Sequence, residues 1–231
     1  MAARRSLTPA RLARTAQGAE SLTERAYRRL EEEIVTLRIP PGAVVSEAAL
    51  SRRLGFGRTP IREALQRLSR ERLVTIMPRR GIVVTEINVK TQLRLLEVRR
   101  ELERLLARCA ARRRSPEQRR RFEAIAAGMR AAARRNDDVT FMRLDREFNL
   151  LVLEAARNEF AHAAMSLIHG LSRRFWYTHY KQVADMPLAA RLHAEVALAI
   201  AASKEDQAAR ASDRLIDYIE DFARKTVSAE D

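Results

Sequence analysis

The turn-forming residues of this chain are crowded into one short stretch. Pro40, Pro41, Gly42, Gly55, Gly57, Pro60, Pro78 and Gly81 all fall between positions 40 and 81, although the 231-residue sequence holds only seven glycines and seven prolines. After residue 88 the chain is rich in Ala, Leu, Arg and Glu, all strong helix formers. This shift divides the sequence into a tightly turned unit at residues 21–87 and a long all-helical unit at 88–231.

In the first unit, Thr23 to Arg38 places Ala26, Leu30, Ile34 and Leu37 on one helical face. Pro40-Pro41-Gly42 ends that helix, because proline cannot continue the hydrogen-bond ladder. Ser46 is placed to cap a short helix over 47–54. Gly55-Phe56-Gly57 then turns the chain, Thr59 is placed as the next cap, and Pro60 takes a first helical position. Ile61, Leu65 and Leu68 form that helix's apolar stripe, with Arg62, Gln66 and Ser69 on another face. Residues 73–76 and 82–85 read as strands around a basic tip, Met77 to Gly81. Helix, helix, turn, helix and hairpin spell a winged helix-turn-helix.

The remainder reads as about six helices, giving a mainly α fold with a small β-hairpin wing and a C-terminal all-α bundle. The first runs over 89–113. Ser115-Pro116-Glu117-Gln118 is a capping box that opens the second. Asn136-Asp137-Asp138 opens a third to about 156; others cover 159–181 and 188–202, and Ser203 to Asp206 starts the last.

Forty-four Lys and Arg against thirty Asp and Glu give a formal net charge of +14, which suggests a polyanionic partner. Arg58 and Arg62 stand at the mouth of a helix, where the macrodipole is already positive. That placement makes sense when an anion arrives from outside. Arg58, Thr59 and the free N–H groups there suit phosphate oxygens, whereas Arg62 suits guanine and Gln66 adenine in a major groove. Arg79 and Arg80 at the hairpin tip are placed for an adjacent groove or phosphate.

At these residues the sequence resembles a known family. "PPGAVVSEAALSRRLGFGRTPIREALQRLSRERLV" is similar, nearly position by position, to the DNA-binding domain of GntR-type bacterial transcription regulators. The resemblance implies that Arg58, Thr59, Arg62 and Gly81 contact DNA. Two departures stand out: Gly57 replaces the family's usual Ser, and Arg72 its usual Gly. The helical remainder resembles the family's FadR-type, FCD subclass of effector domains. "LLEVRRELERLLARCAAR" carries Arg99 and Glu103 at R-x-x-x-E positions, "RLDREFNLLVLEAARN" carries Asp145, Phe148 and Asn158, and "LHAEVALAI" carries His193.

Many such domains hold a divalent metal with one Asp and three His. Here Asn149 occupies the first His position and Leu215 the last, leaving Asp145 and His193 as an incomplete metal set. No cofactor is therefore assigned as certain, and a divalent metal stays open on this degraded ligand set. The favoured reading is a pocket in which a small organic effector, carboxylates included, meets Arg99, Asn149 and His193, beside Asp145. A hydrogen-bonded polar core without ligand stays open. In "SRRFWYTHYK", Arg173 and Tyr177 share a helix face and are added as effector-binding candidates, with core packing as the alternative. His162, His169 and His179 are read as satisfied or exposed.

The expected function is a cytoplasmic, ligand-responsive regulator, a repressor by the family's commoner mode. It would bind a near-palindromic double-stranded operator as a homodimer, without a membrane partner. Cys109, the lone cysteine, excludes an internal disulfide, and no apolar run is long enough for a membrane span. Residues 1–20 read as a flexible basic arm. The alternatives are a sequence-indifferent architectural nucleic-acid binder and, more remotely, a helical metal-dependent hydrolase. The latter lacks a nucleophile–base pair, so the chain is not expected to be an enzyme.

Overall fold

The computed structural model describes residues 20–228, so the basic arm lies outside the described residues except for Glu20. The first unit holds α1 (Leu22–Val35), β1 (Val44–Val45), α2 (Glu47–Leu54), α3 (Arg58–Arg70), β2 (Val74–Met77) and β3 (Gly81–Val84). Its sheet is antiparallel in the order β1-β3-β2, with Met77 opposite Gly81 and Val45 opposite Ile82. Ala26, Leu30 and Ile34 of α1 pack on Ile61, Leu65 and Leu68 of α3 in one core that β2 and β3 close with Val74 and Val84. Burial of this face, rather than propensity alone, holds such short helices.

Several local expectations shift. Helix α1 ends at Val35, short of Arg38, with Leu37 at φ 63°. The two wing strands move by one residue, and β1 adds a third strand. Helix α3 starts at Arg58, with Gly57 as its N-cap and no side chain capping it. Thr59 and Pro60 sit inside the first turn instead, where the N–H that proline lacks is an orphan anyway. The C-terminus of α3 is a Schellman motif: Leu73 N donates to Leu68 O at 2.9 Å and Arg72 N to Ser69 O at 3.1 Å. The left-handed position in that motif is Arg72, at φ 60°.

The second unit is an all-α bundle of α4 (Val89–Arg113), α5 (Pro116–Arg135), α6 (Asp138–Ala156), α7 (Glu159–Val183), α8 (Met186–Ala201) and α9 (Glu205–Ser228). Its starts are set by side chains that accept from the first turn: Asn88, Ser115, Asp137, Asn158 and Asp185. Ser115 and Gln118 complete both halves of the expected capping box. A second core includes Phe122, Met129, Leu151, Ile200 and Phe222, together with many alanines that let the helices approach closely. Cys109 is buried within it.

Much of the positive charge is consumed inside the bundle. Arg100, Arg104, Arg108 and Arg112, one turn apart along α4, pair with Asp217, Asp213, Asp206 and Glu205 of antiparallel α9. These arginines zip two helices together and are not a free basic surface. Among the described residues no helix is long and apolar enough to cross a membrane.

Helix α7 joins the two units. Gly170 packs against Leu73 so closely that an added Cβ would lie 2.7 Å from Leu73 Cδ1. Arg173 pairs with Glu31 of α1 at 2.7 Å. The next residue, Arg174, is only 2% exposed and donates through Nη2 to Thr85 Oγ1 at 2.9 Å, while among the described residues its Nε and Nη1 have no hydrogen-bond partner. Burial pushes the Arg174 guanidinium down to about 10, with the Glu86 charge opposing.

Candidate functional site

Two regions gather the residues singled out in the sequence. The first is the outer face of α3. Because Ile61, Ala64, Leu65 and Leu68 are buried, helical periodicity turns Thr59, Arg62 and Gln66 outward, and all three are exposed together with Arg58. The uncapped start leaves the N–H groups of the first turn facing outward. Arg62 is held by Glu47 of α2, which receives both its Nε and its Nη2. The hydrogen bond from Arg62 and its charge keep the Glu47 carboxyl below the ordinary range.

The hairpin tip carries Arg79 and Arg80, both exposed, with Arg79 at φ 61°. Gly81 lies at φ 96°, and a Cβ there would come within 3.1 Å of Val45 O. Glycine at this position is thus explained by the turn and by the close pairing of β1 with β3.

The second region is a small cavity inside the bundle, about 60 Å³ in volume. Helix α6 contributes Asp145 and Asn149, one turn apart; α4 contributes Arg99, α7 contributes His169 and Arg173, and α8 contributes His193. Phe141, Trp176 and Phe222 form apolar walls. Five of the six expected effector residues are therefore brought together. Tyr177 is not among them: it lines an outer groove with Glu32, Tyr180 and Arg146, one turn further along α7 than Arg173, which borders both spaces.

Charges in the cavity are largely paired. Asp145 Oδ1 lies 3.0 Å from His193 Nε2, and Asn149 Nδ2 donates to the same oxygen at 3.0 Å. His193 Nδ1 faces Ala189 O at 2.8 Å, an oxygen that can only accept, so Nδ1 carries the proton. Burial opposes charge on His193, but the Asp145 hydrogen bond and charge win and raise its pKa. Asp145 is correspondingly lowered, again against burial. Arg99 is 9% exposed and gives Nε to Glu103 at 2.8 Å and Nη1 to Ser172, which also accepts from Gln92.

His169 was missed. Read from sequence as satisfied or exposed, it lines this cavity one turn before Arg173. Burial, followed by the Arg173 and Arg99 charges, pushes it down to about 3, so the imidazole is neutral. The i, i+4 spacing of His169 and Arg173 was the available signal.

The donor set does not fit a tightly held transition metal. Among the described residues no three His, Cys, Asp or Glu side chains converge on one point. Leu215, at the position of the missing imidazole, instead lines an adjoining apolar cavity with Asn149, His169 and Val196.

Comparison with known proteins identifies the family of each unit. Residues 22–84 match the family described as bacterial regulatory proteins, gntR family, and residues 94–218 match the FCD domain. The chain is 26% identical over 206 residues to the HTH-type transcriptional repressor RspR of Escherichia coli K12, covering 89% of this chain and 90% of that one. It is 24% identical over 178 residues to the Nta operon transcriptional regulator of Aminobacter aminovorans, covering 76% and 81%. Among solved structures, E. coli McbR/YncC superposes with a TM-score of 0.75 at 17% identity, covering 90% of this chain and all of that one, a likeness of fold.

Proposed function

The chain belongs to the gntR family of bacterial regulatory proteins and carries an FCD domain, and from that membership we propose that it represses transcription in the cytoplasm, binding a near-palindromic operator as a homodimer under control of a small organic effector. The observation that carries this reading is the outward face of α3. Arg58, Thr59, Arg62 and Gln66 stand together on an uncapped helix start, beside the basic hairpin tip of Arg79 and Arg80. In the proposal, Arg62 and Gln66 read base edges, while Arg58, Thr59, Arg79, Arg80 and the backbone at Gly81 meet phosphates or sugars.

Residues 21–87 act as the DNA-binding domain and 88–231 as the effector and dimerisation domain. Exposed apolar residues one heptad apart support the dimer: Val98 and Leu105 on α4, and Phe160 and Leu167 on α7, a helix that packs on α4. The effector occupies the cavity of Arg99, Asp145, Asn149, Arg173 and His193, without a resident metal. The repressor mode follows the name of the relative RspR.

Selection of binding sites from a random duplex pool, at about 150 mM salt where non-specific electrostatic binding is weakened, tests the reading. A dyad-symmetric motif is the expected result. Retention of DNA with no enriched motif would replace it with sequence-indifferent nucleic-acid binding, the reading that the net charge of +14 favours on its own.

A further inference from the structure

Arg173 belongs to both units at once. Its Nη1 donates to Glu31 Oε1 of α1 at 2.7 Å, in a pair whose side chains are only 22% and 12% exposed. The same guanidinium lines the bundle cavity. It also lines the outer groove, whose walls include Glu32 of α1 and that helix's C-cap, Thr36. Asp145, Arg173 and Trp176 border both spaces, which therefore adjoin, with Glu32 of α1 on the groove side.

The other cavity charges are already engaged. Asp145 is taken by His193 and Asn149, Arg99 by Glu103 and Ser172, and His169 is neutral. Among the described residues, no hydrogen bond takes up the Nε or Nη2 of Arg173. A guanidinium with Nη1 on one carboxylate keeps donors free for a second anion, and the two negative charges then oppose each other across the one cation.

Resting on the effector reading above, with carboxylates its ligand class, we propose that the effector's headgroup competes with Glu31 for Arg173. Glu31 is then a positioning residue, and this one ion pair is the link through which cavity occupancy reaches the DNA-binding unit. A ligand that draws Arg173 toward the cavity lengthens or breaks its bond to α1, which packs directly on α3. Thermodynamic reciprocity requires operator binding to lower ligand affinity by the same factor.

Isothermal titration of the full-length protein with acetate, butyrate, benzoate, succinate and citrate tests this. At least one acid is expected to bind. Glu31→Gln removes the competitor and tightens that acid by roughly fivefold or more, a common size for such coupling, while Glu31→Asp stays near the parent. A residue that merely braces the fold would weaken binding when replaced, so the sign separates the two roles. On the selected operator, the saturating acid weakens binding by the parent protein and does so less in Glu31→Gln. The proposal is overturned when none of the five acids binds, or when Glu31→Gln leaves affinity unchanged or weaker. Glu31-dependent acid binding without any selected DNA motif would uphold the ion-pair competition and reject the regulator reading.

Discussion

The guanidinium of Arg62 lies bidentate on the carboxylate of Glu47, Nε to Oε1 at 3.0 Å and Nη2 to Oε2 at 2.9 Å. The pair links the first turn of α2 to the first turn and a half of α3 on the solvent side. It holds the arginine extended before any partner arrives, and DNA must share or displace the carboxylate. Exposed pairs of this kind add little to stability, so the effects of breaking it fall on recognition. Arg62→Ala is expected to lower specific affinity by roughly 10-fold to 100-fold and to relax base preference at one position of each half-site. Glu47→Gln removes a repelling charge, so it should raise non-specific affinity while narrowing the specific-to-non-specific ratio. Site selection repeated on both variants checks this; an unchanged motif for Arg62→Ala would remove α3 as the reading helix.

Arg72 holds the left-handed position of a Schellman motif that glycine fills without penalty. A side chain there costs roughly 1 kcal/mol. Arg72→Gly should therefore stabilise the N-terminal unit by about that much, less the entropy that glycine returns to the unfolded chain. Urea titration followed by circular dichroism reads the change. A loss of stability would mean that the Arg72 side chain contributes more than its backbone costs.

Glu33 is 5% exposed and accepts from Arg38 at 3.3 Å and Arg53 at 2.6 Å. Burial acts to raise its pKa, but the hydrogen bonds and charges of the two arginines prevail and lower it. A carboxyl depressed in the folded state adds stability above its unfolded pKa, and that contribution is lost as pH falls through the folded value. Stability should thus fall on acidification below about pH 4.5, near the ordinary carboxylate value, and Glu33→Gln should flatten that slope while lowering stability at pH 7. Parallel slopes for parent and variant would show that the arginines do not depress Glu33.

Leu105 and Leu167 are 43% and 48% exposed on two helices that pack together. Light scattering should report a dimer for the parent and a monomer for Leu105→Glu/Leu167→Glu, with helical content unchanged. A dimer that survives both substitutions would place the interface elsewhere.

Helices α4 to α9 were legible because their periodicity is long and starts such as those at Ser115 and Asp137 carry caps. The two-residue strand β1 was not: Val44 and Val45 have no period of their own, and only pairing with Val83 and Ile82 makes them a strand. Thr59 has the chemistry of a cap but lies one residue inside the helix, since Gly57 already adopts the extended cap conformation at ψ 165°. In the cavity, Asp145, Asn149 and His193 could be placed by spacing and resemblance. His169 and Tyr177 could not, because the side of α7 that meets the cavity is decided by how that helix packs against α4, α1 and α9. A helix that faces three neighbours offers the sequence no single polar face.

The crossing at α7 bears on how such proteins can be recombined. Only residues 85–88 join the last strand to α4, and a cut there looks like a seam between interchangeable parts. Yet Leu73 seats against Gly170, Thr85 against Arg174 and Glu31 against Arg173, so each half carries the imprint of the other. A hybrid that grafts a foreign reading head onto this bundle inherits mismatched partners unless positions 31, 73 and 85 travel with the bundle. In lineages that exchange these halves, those three positions should follow the bundle in descent and not the head that bears them.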